Sequence, residues 1–308
     1  MQVKVLGSAA GGGYPQWNCN HPNSRRARAG DIAAPQRTQS SIAVSADGVD
    51  WVLFNASPDL RQQINDNTCL HPRDALRASP IKAVVLTNAD VDHVAGLLNL
   101  RESQPLRVYA TARVLSVLAA NSIFNVLNPA FVSRDAMALE QEHALLRADG
   151  SALGFSVVPF SVPGKVALWL EDVNRGANFG SVEEDTIALE VRSGGRTCFF
   201  YIPGCAHMTP ALAARLSGAP LVFFDGTLFT DDEMIRDGVG VKTGNRMGHM
   251  SVSGADGTIA AFANLAVKRK VFIHINTTNP ILIANTQERA AVEAAGWDVA
   301  YDGMTLEV

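Results

Sequence analysis

The chain has 308 residues, a formal net charge of -4 at pH 7 and an isoelectric point near 6.0. Its 47% hydrophobic and 18% charged residues are typical of a globular protein with a sizeable core. This balance lacks the basic surplus of nucleic-acid-binding proteins, so we expect no nucleic-acid partner. No apolar run approaches the roughly 20 residues of a membrane span, and the opening stretch MQVKVLGSAAGGGYPQW has no secretory-signal pattern. We therefore expect no membrane association.

The cysteines are too sparse for a disulfide scaffold. They stand at four isolated positions, Cys19, Cys69, Cys198 and Cys205. Such usage suits a reducing compartment. We therefore expect a cytoplasmic protein.

Strand-like and helix-like segments follow one another along the chain. Runs rich in Val, Ile and Phe, each ended by turn residues, predict strands at VKVLGS, SSIAVS, WVLFNAS, KAVVLTN, LRVYAT, FSVVPFSV, TIALEV, TCFFYI, LVFFD and VFIHIN. Helical patterns occupy SPDLRQQIND, with Ser57 as the expected N-cap, and TARVLSVLAANS, TPALAARLSG, SVSGADGTIAAFANLA and TQERAAVEAAG. Both halves of the chain share this organisation. It predicts an α/β protein with two packed sheets and outer helices, an αββα sandwich forming one domain over residues 1–308.

Polar side chains gather where three of these strands end: in TNADVDH, at His249 in GHMS, and at His274 in FIHINTTNP. Loops on one edge of a sheet are common places for binding sites, because the sheet is a rigid platform. A simpler interpretation makes Asp92 a helix cap and the histidines ordinary surface or core residues. His274 resists that interpretation, because an unpartnered imidazole between two isoleucines would cost about 1–3 kcal/mol. A metal ion would be a strong partner.

The segment TNADVDHVAGL resembles the His-x-His-x-Asp-His signature of the metallo-β-lactamase superfamily. Asp92 and His93 match its final pair, and VFIHIN resembles the closing strand that delivers the last histidine, here His274. Longer blocks resemble the coenzyme PQQ synthesis B family: LGSAAGGGYPQWNCN, RTQSSIAVS, NASPDLRQQI, FFDGTLFTDDEM, VGVKTGNRMGHMS and VFIHINTTNPIL. The resemblance covers nearly the whole chain. It implies the αββα fold with two mixed sheets.

The resemblance also implies that one of the superfamily's two metal positions is lost. Asn88 and Asp90 replace the first two histidines, and SVPGKV has no histidine where a third is expected. Gly204 or Cys205 stands where the carboxylate that bridges both metals is expected. A binuclear hydrolytic centre is therefore not predicted.

The second metal position is retained at Asp92, His93 and His274. Two imidazoles and one carboxylate, with the other positions open, are the ligand set of non-haem Fe(II) oxygenases. Fe(II) is the expected cofactor, and O2 the expected co-substrate. Asp92 and His93 are then adjacent because both face one metal ion.

The family resemblance implies hydroxylation of the tyrosine ring of a cross-linked Glu–Tyr precursor during pyrroloquinoline quinone (PQQ) biosynthesis. Two other functions stay open: a carrier of PQQ or its precursor to the periplasm, and a metal-dependent hydrolase. GSAAGGG lacks the Gly-Lys-Ser/Thr ending of a nucleotide-binding P-loop, which disfavours an energised transporter. A homodimer is also left open.

Several further residues are candidates for the site. His249 is either an acid/base or hydrogen-bonding group for substrate or the first residue of a helix. Asp90 is either an extra ligand or a hydrogen-bond acceptor behind the ligands, and Asp225 either lines the site or makes a turn with Gly226. An acidic substrate calls for cations, and the candidates for this role are Lys242, Arg246, Arg61 and Arg101.

A second, structural metal is considered near the N-terminus. The family resemblance implies a Cys-x-Cys-x-x-Cys zinc motif where this chain has Cys19, His21 and Ser24. Cysteine and histidine are competent zinc ligands, whereas serine is a poor one. The alternative is an ordered loop without metal.

Overall fold

The computed structural model describes residues 1–73, 75–175 and 180–308. Within these ranges the chain forms two seven-stranded sheets. The strands are Gln2–Gly7 (β1), Ser41–Ser45 (β2), Trp51–Phe54 (β3), Ile81–Val85 (β4), Leu106–Ala110 (β5), Val132–Ala136 (β6), His143–Leu146 (β7), Ala152–Ser161 (β8), Ile187–Ser193 (β9), Arg196–Ile202 (β10), Val222–Asp225 (β11), Lys270–Ile273 (β12), Trp297–Val299 (β13) and Thr305–Glu307 (β14).

Both sheets are mixed, as expected. The first has the order β14-β1-β2-β3-β4-β5-β6, and the second the order β13-β12-β11-β10-β9-β8-β7. From β3 to β6 the neighbouring strands are parallel, and from β10 to β13 they are parallel as well. Their carboxyl ends therefore collect at one edge of each sheet.

The helices are short. They are Pro22–Arg28 (α1), Leu60–Asp66 (α2), Val91–Val94 (α3), Ala112–Ala120 (α4), Pro210–Leu216 (α5), Glu233–Arg236 (α6), Gly244–Met247 (α7), Thr258–Ala261 (α8) and Gln287–Ala294 (α9). Threonine side chains cap α4, α5 and α9 by accepting a backbone N–H of the first turn. Short 3-10 turns lie at Thr68–Leu70, Ala95–Leu100, Ser122–Val126, Leu168–Leu170, Val173–Arg175 and Pro280–Leu282.

Three layers of apolar side chains hold this architecture together. The inner faces of both sheets share one core, to which Phe54 and Tyr201 contribute a ring pair with centroids 5.8 Å apart. A second core joins the other face of the first sheet to α2 and α4, and a third joins the second sheet to α5 and α9. This is the predicted αββα sandwich. The assignment of residues 1–308 to one domain stays a prediction.

The predicted strands are all present, and the four unpredicted ones, β6, β7, β13 and β14, are the edge strands of the two sheets. Edge strands are short and half-exposed, so their hydrophobic pattern is weak. The β6 segment, VSRDA, buries only its first residue.

Three helix predictions were wrong in detail. The N-cap of α2 is Asp59 and not Ser57, whose carbonyl instead accepts the N–H of Leu60. Asp92 does not cap a helix, because α3 begins at Val91 with Asp90 as N-cap. The helix expected from SVSGADGTIAAFANLA is reduced to the single turn of α8, since its glycines favour the bends that precede it.

The carboxyl ends of the two sheets meet at one place. The loop after β1 pairs with the loop after β12 through Ala9 and Ile275, and the N–H of Ala10 donates to Ile275. The loops that follow β4, β11 and β12 therefore face each other. In the described part of the chain, no helix is long and apolar enough to cross a membrane.

Candidate metal centre

Asp92, His93 and His274 come together where the two sheets meet, and their ligand atoms all lie within 4.8 Å of one another. The Nε2 atom of His274 is 3.1 Å from Oδ2 of Asp92, and Nε2 of His93 is 3.9 Å from the same oxygen. Both histidines are buried. The three predicted ligands are thus brought to one point from two sheets.

The unsatisfied ring nitrogen of His93 shows that these residues fit a metal ion. Its Nε2 atom is buried and has no hydrogen-bond partner among the residues that the structure describes, which would cost about 1–3 kcal/mol in a protein without a ligand there. Metal–ligand bonds of about 2.1 Å place neighbouring ligand atoms roughly 3.0–3.4 Å apart. The 3.1 Å separation between His274 and Asp92 falls within that range, and the 3.9 Å separation between His93 and Asp92 is wider.

Asn88 orients His93. Its side-chain oxygen accepts Nδ1–H of His93 at 2.8 Å and the backbone N–H of Asp90 at 3.0 Å. A histidine with a proton on Nδ1 presents the lone pair of Nε2, which is the form that binds metal. The residue that replaces a superfamily ligand therefore supports one of the retained ligands.

Backbone geometry fixes the other two ligands. His274 leaves β12 with a φ of 60°, in the left-handed region that few non-glycine residues adopt, and such conformations cluster at functional sites. The glycine-rich loop after β1 passes over Asp92. A Cβ atom at Gly11 would lie 3.3 Å from Asp92 Oδ2, which leaves little room for any side chain.

The charges of the ligands suit a cation. Burial would raise the pKa of Asp92, but His93 and His274 outweigh burial and hold its pKa far below the ordinary range. Burial lowers the pKa of His93, against the charge of Asp92, which raises it. Burial would also lower the pKa of His274, but the hydrogen bond and charge of Asp92 raise it overall.

A second group, Asp225, His249 and His274, adjoins the first. Asp225 ends β11 and is fully buried, and its Oδ2 accepts Nδ1–H of His249 at 2.6 Å. That separation is a short charge-assisted hydrogen bond and is too close for two ligands of one ion. The group is therefore a carboxylate–histidine pair beside the metal position, and the rings of His249 and His274 stack at 5.2 Å.

Asp225 is held as a carboxylate by four donors. Besides His249, its oxygens accept the N–H of Cys205 at 2.9 Å, the N–H of Thr227 at 3.0 Å and the hydroxyl of Thr227 at 2.7 Å. Burial would raise the pKa of Asp225, but His249 and these hydrogen bonds lower it overall. A carboxylate from β11 thus binds the backbone of Cys205, which, like Gly204, is a candidate for the position of the superfamily's bridging carboxylate.

Asp90 makes a hydrogen bond behind the ligands. Its Oδ1 accepts the backbone N–H of Leu168 at 3.1 Å and so ties the segment after β8 to the ligand loop. Asp90 is not in either group of converging ligand atoms. Of its two predicted roles, the structure gives a contact only for the acceptor.

The predicted substrate-binding cations lie in different surroundings. Arg246 pairs with Glu171 at 2.8 Å, and Lys165 pairs with the same carboxylate at 2.9 Å. The hydrogen bond from Arg246, with Lys165, lowers the pKa of Glu171 to about 2. Lys242 is half-buried in the loop before α7, two residues before the first residue of the turn that leads to His249.

The other two cations are exposed. Arg61 lies on the outer side of α2. Arg101 donates to the carbonyl of Leu98 and lies 3.6 Å from Glu102. None of these contacts brings either arginine to the ligands, and a substrate role for the four cations stays a prediction.

The N-terminal zinc prediction finds little support in the geometry. Nδ1 of His21 accepts the N–H of Asn23 and caps α1, and its Nε2 lies 3.2 Å from Asp237. Cys19 accepts the N–H of His21 at 3.4 Å, and Ser24 is buried against Thr277. In the described ranges, Cys19 and His21 belong to no group of three converging ligands.

Thr227 and Glu171 are the site residues that sequence reasoning missed. Thr227 follows Asp225 and Gly226 in a turn, a position that indicates only turn geometry in sequence. Its hydroxyl nevertheless contacts both Asp225 and His274. Glu171 stands in a stretch with no strand or helix pattern, so no periodicity pointed to it.

Comparisons with known proteins agree with this geometry. A model of the beta-lactamase superfamily domain matches residues 50–275. Coenzyme PQQ synthesis protein B of Gluconacetobacter diazotrophicus is 57% identical over 308 residues, covering 99% of each chain. The protein of the same name from Xanthomonas campestris pv. campestris is 56% identical and covers both chains fully.

A solved structure matches equally well. The crystal structure of Zn(2+)-bound PqqB from Methylobacterium extorquens superposes with a TM-score of 0.94, at 52% identity and full coverage of both chains. The fold is thus that of the metallo-β-lactamases. With its two relatives at 56–57% identity over the whole length, the chain belongs to the coenzyme PQQ synthesis protein B family.

Proposed function

We propose that the chain serves in PQQ synthesis as an Fe(II)- and O2-dependent hydroxylase of the tyrosine ring of a Glu–Tyr-derived precursor. The observation that carries the proposal is the ligand set: two imidazoles and one carboxylate converge, and Nε2 of His93 has no hydrogen-bond partner in the described part of the chain. This set leaves half of an octahedral coordination sphere open. Relatives over the full length are named for PQQ synthesis.

Fe(II), when bound, supplies the one-electron chemistry that activates O2. The chain's own residues hold the ion and orient its ligands and the substrate. Asp92, His93 and His274 would bind the ion, and Asn88 keeps Nε2 of His93 directed to it. Asp225 binds Nδ1 of His249. The other ring nitrogen, Nε2, then exchanges a proton with the phenolic oxygen of the substrate. Ring hydroxylation places one oxygen atom in the product and releases the other as water, so a two-electron reductant is also required.

Zinc in the Methylobacterium extorquens protein is compatible with this proposal. Nitrogen and carboxylate sites bind Zn(II) more tightly than Fe(II), so availability decides which ion is found. We expect the chain to take up either ion and to consume O2 only with iron. A hydrolase would instead work with zinc.

The test is anaerobic reconstitution with Fe(II), followed by addition of O2, ascorbate as reductant and a cross-linked Glu–Tyr precursor. We expect O2 consumption and a product that carries one atom from labelled O2 for each hydroxylation. Asp92→Asn should lack this activity, and His143→Ala, a half-exposed histidine bonded to Ala138, should retain it. Turnover of phosphodiesters with zinc would identify a hydrolase, and quinone binding that needs no metal would identify a carrier.

A further inference from the structure

Thr227 joins the metal ligands to the Asp225–His249 pair through one hydroxyl group. Its Oγ1 lies 2.9 Å from Nδ1 of His274, 3.1 Å from Nδ1 of His249 and 2.7 Å from Oδ1 of Asp225. The carbonyl oxygen of His274 is also within reach, at 3.0 Å. Thr227 is buried, so water does not compete for these contacts.

The positions of the protons follow from the partners. A hydroxyl has one proton and two acceptor lone pairs. The carboxylate of Asp225 is the nearest and the only charged acceptor, so the hydroxyl proton of Thr227 points to it. The oxygen of Thr227 must then accept from the nitrogen of His274, which therefore carries its proton on Nδ1.

This arrangement fixes the tautomer of a metal ligand. Asp92 can only accept, so in the metal-free protein Nε2 of His274 also carries a proton and donates it to Oδ2 of Asp92. With Nδ1–H held by Thr227, this Nε2 proton is the one that a metal ion replaces. The competing tautomer would have Thr227 donate to Nδ1. A metal ion could then bind Nε2 only after a proton moved to Nδ1 and the hydroxyl of Thr227 turned away. That alternative is disfavoured, because Asp225 would lose its 2.7 Å hydrogen bond from the hydroxyl of Thr227.

We infer that Thr227 is a positioning residue for two partners at once: it holds His274 in its metal-binding tautomer and holds Asp225 toward His249. Asn88 has the corresponding role for a single ligand, His93. Thr227 thus links the orientation of His274 to that of His249. The inference rests on the proposed metal centre at Asp92, His93 and His274, and not on the identity of the substrate.

Thr227→Val keeps the shape of the side chain and removes the hydroxyl, whereas Thr227→Ser keeps the hydroxyl. We expect Thr227→Val to bind Zn(II) and Co(II) roughly 10–100-fold more weakly, the usual effect of losing a ligand's hydrogen-bond partner. Thr227→Ser should recover affinity to within about threefold. Thr258→Val, which removes a buried hydroxyl that donates to Ser251, is the matched control and should bind like the wild type.

The coupling has its own test, in the visible spectrum of the Co(II) form. Removing His249 should change the Co(II) bands of the wild type through Thr227 and its neighbours, and should change those of Thr227→Val less, because the link is already broken. Equal changes in both backgrounds would show that Thr227 does not couple the two groups.

The outcomes separate this inference from the proposed function. If the wild type binds no metal at the three ligands, the proposed function fails. If the wild type binds metal and Thr227→Val binds equally well, the inference on Thr227 fails alone. Should Thr227→Val not fold, NMR of the wild-type zinc form decides: an Nδ1–H resonance of His274 protected from solvent exchange supports the inference, and a rapidly exchanging one overturns it.

Discussion

The Nε2 atom of His274 lies 3.1 Å from Oδ2 of Asp92, although 182 positions separate the two residues in the chain. Asp92 follows β4 of the first sheet, and His274 follows β12 of the second. The ligand set is therefore complete only when the two sheets are packed together. Metal binding must favour the folded state, because the unfolded chain does not hold these atoms at one point.

We expect His274→Ala to abolish metal binding and leave the fold intact, because the buried imidazole contacts polar groups of the site and belongs to none of the three apolar cores. In the wild type, metal at a thousandfold excess over its dissociation constant should stabilise the fold by about 4 kcal/mol. His274→Ala should show no such gain. His143→Ala is the control and should gain as the wild type does. Thermal melts with and without Zn(II) measure the difference, and a full metal-induced shift in His274→Ala would remove this residue from the ligand set.

Asn88→Ala should weaken metal binding by roughly 10–100-fold, because Nδ1 of His93 would lose its acceptor. Asn125→Ala, at an exposed position, should have no effect. Competition with a chromogenic chelator measures both affinities. An Asn88→Ala affinity equal to that of the wild type would mean that packing alone orients His93.

The double variant Asn88→His, Asp90→His should not become a phosphodiesterase. The restored pair would still lack a third histidine in SVPGKV and a carboxylate at Gly204 or Cys205. It would also lose the acceptor of His93 and the contact between Asp90 and Leu168. Hydrolysis of bis(p-nitrophenyl) phosphate with zinc or manganese is the assay. Appreciable turnover above the wild type would contradict the loss of the first metal position.

His249→Ala should leave Fe(II) affinity unchanged and reduce turnover by roughly 10²–10⁴, the usual contribution of a general acid or base. The reason is that Nδ1 of His249 is bound to Asp225 and not to the metal position. Affinity, turnover and melting temperature on one variant separate three roles. Lost metal would make His249 a ligand, and lost stability with normal turnover would make it structural.

Glu233 should make the fold less stable as pH rises. Its carboxyl is buried against Thr278 and the backbone N–H groups of Phe229 and Thr230, and burial raises its pKa from 4.5 to about 7. The folded state therefore binds a proton that the unfolded state has lost. The stability from this proton is full below about pH 4.5 and disappears as pH rises through about 7, up to about 3 kcal/mol in all.

Glu233→Gln imitates the protonated carboxyl and should remove that loss. We expect the metal-free variant to gain stability relative to the wild type between pH 5 and pH 8, measured by urea unfolding at each pH. Glu102→Gln, at an exposed carboxyl, should show no such gain. A constant difference between Glu233→Gln and the wild type at every pH would show that the carboxyl does not titrate in this range.

The strand-end residues were predictable because their signal is local. Asp92 and His93 are adjacent, and His274 stands between two isoleucines where an imidazole needs a partner. The inner strands were predictable for the same reason, since a buried strand is continuously apolar or strictly alternating. The edge strands and α8 were not, because exposure and glycine-rich bends weaken the pattern on which such predictions depend.

The support around the ligands was not predictable from local pattern. The role of Thr227 depends on the distance between its hydroxyl and a ring 47 positions later. The pairing of Arg246 with Glu171 likewise joins segments 75 positions apart. In sequence Arg246 is one cation near His249, and only the folded chain shows that it shares the carboxylate of Glu171 with Lys165.

The most direct test is the number and position of iron ions in the wild-type protein. Crystals grown anaerobically with Fe(II) would be measured at the iron absorption edge, together with the iron content per chain in solution. We expect one ion per chain and one anomalous peak about 2.0–2.2 Å from Asp92 Oδ2, His93 Nε2 and His274 Nε2. Two peaks about 3.5–4 Å apart, or a single peak away from these three atoms, would contradict the mononuclear centre.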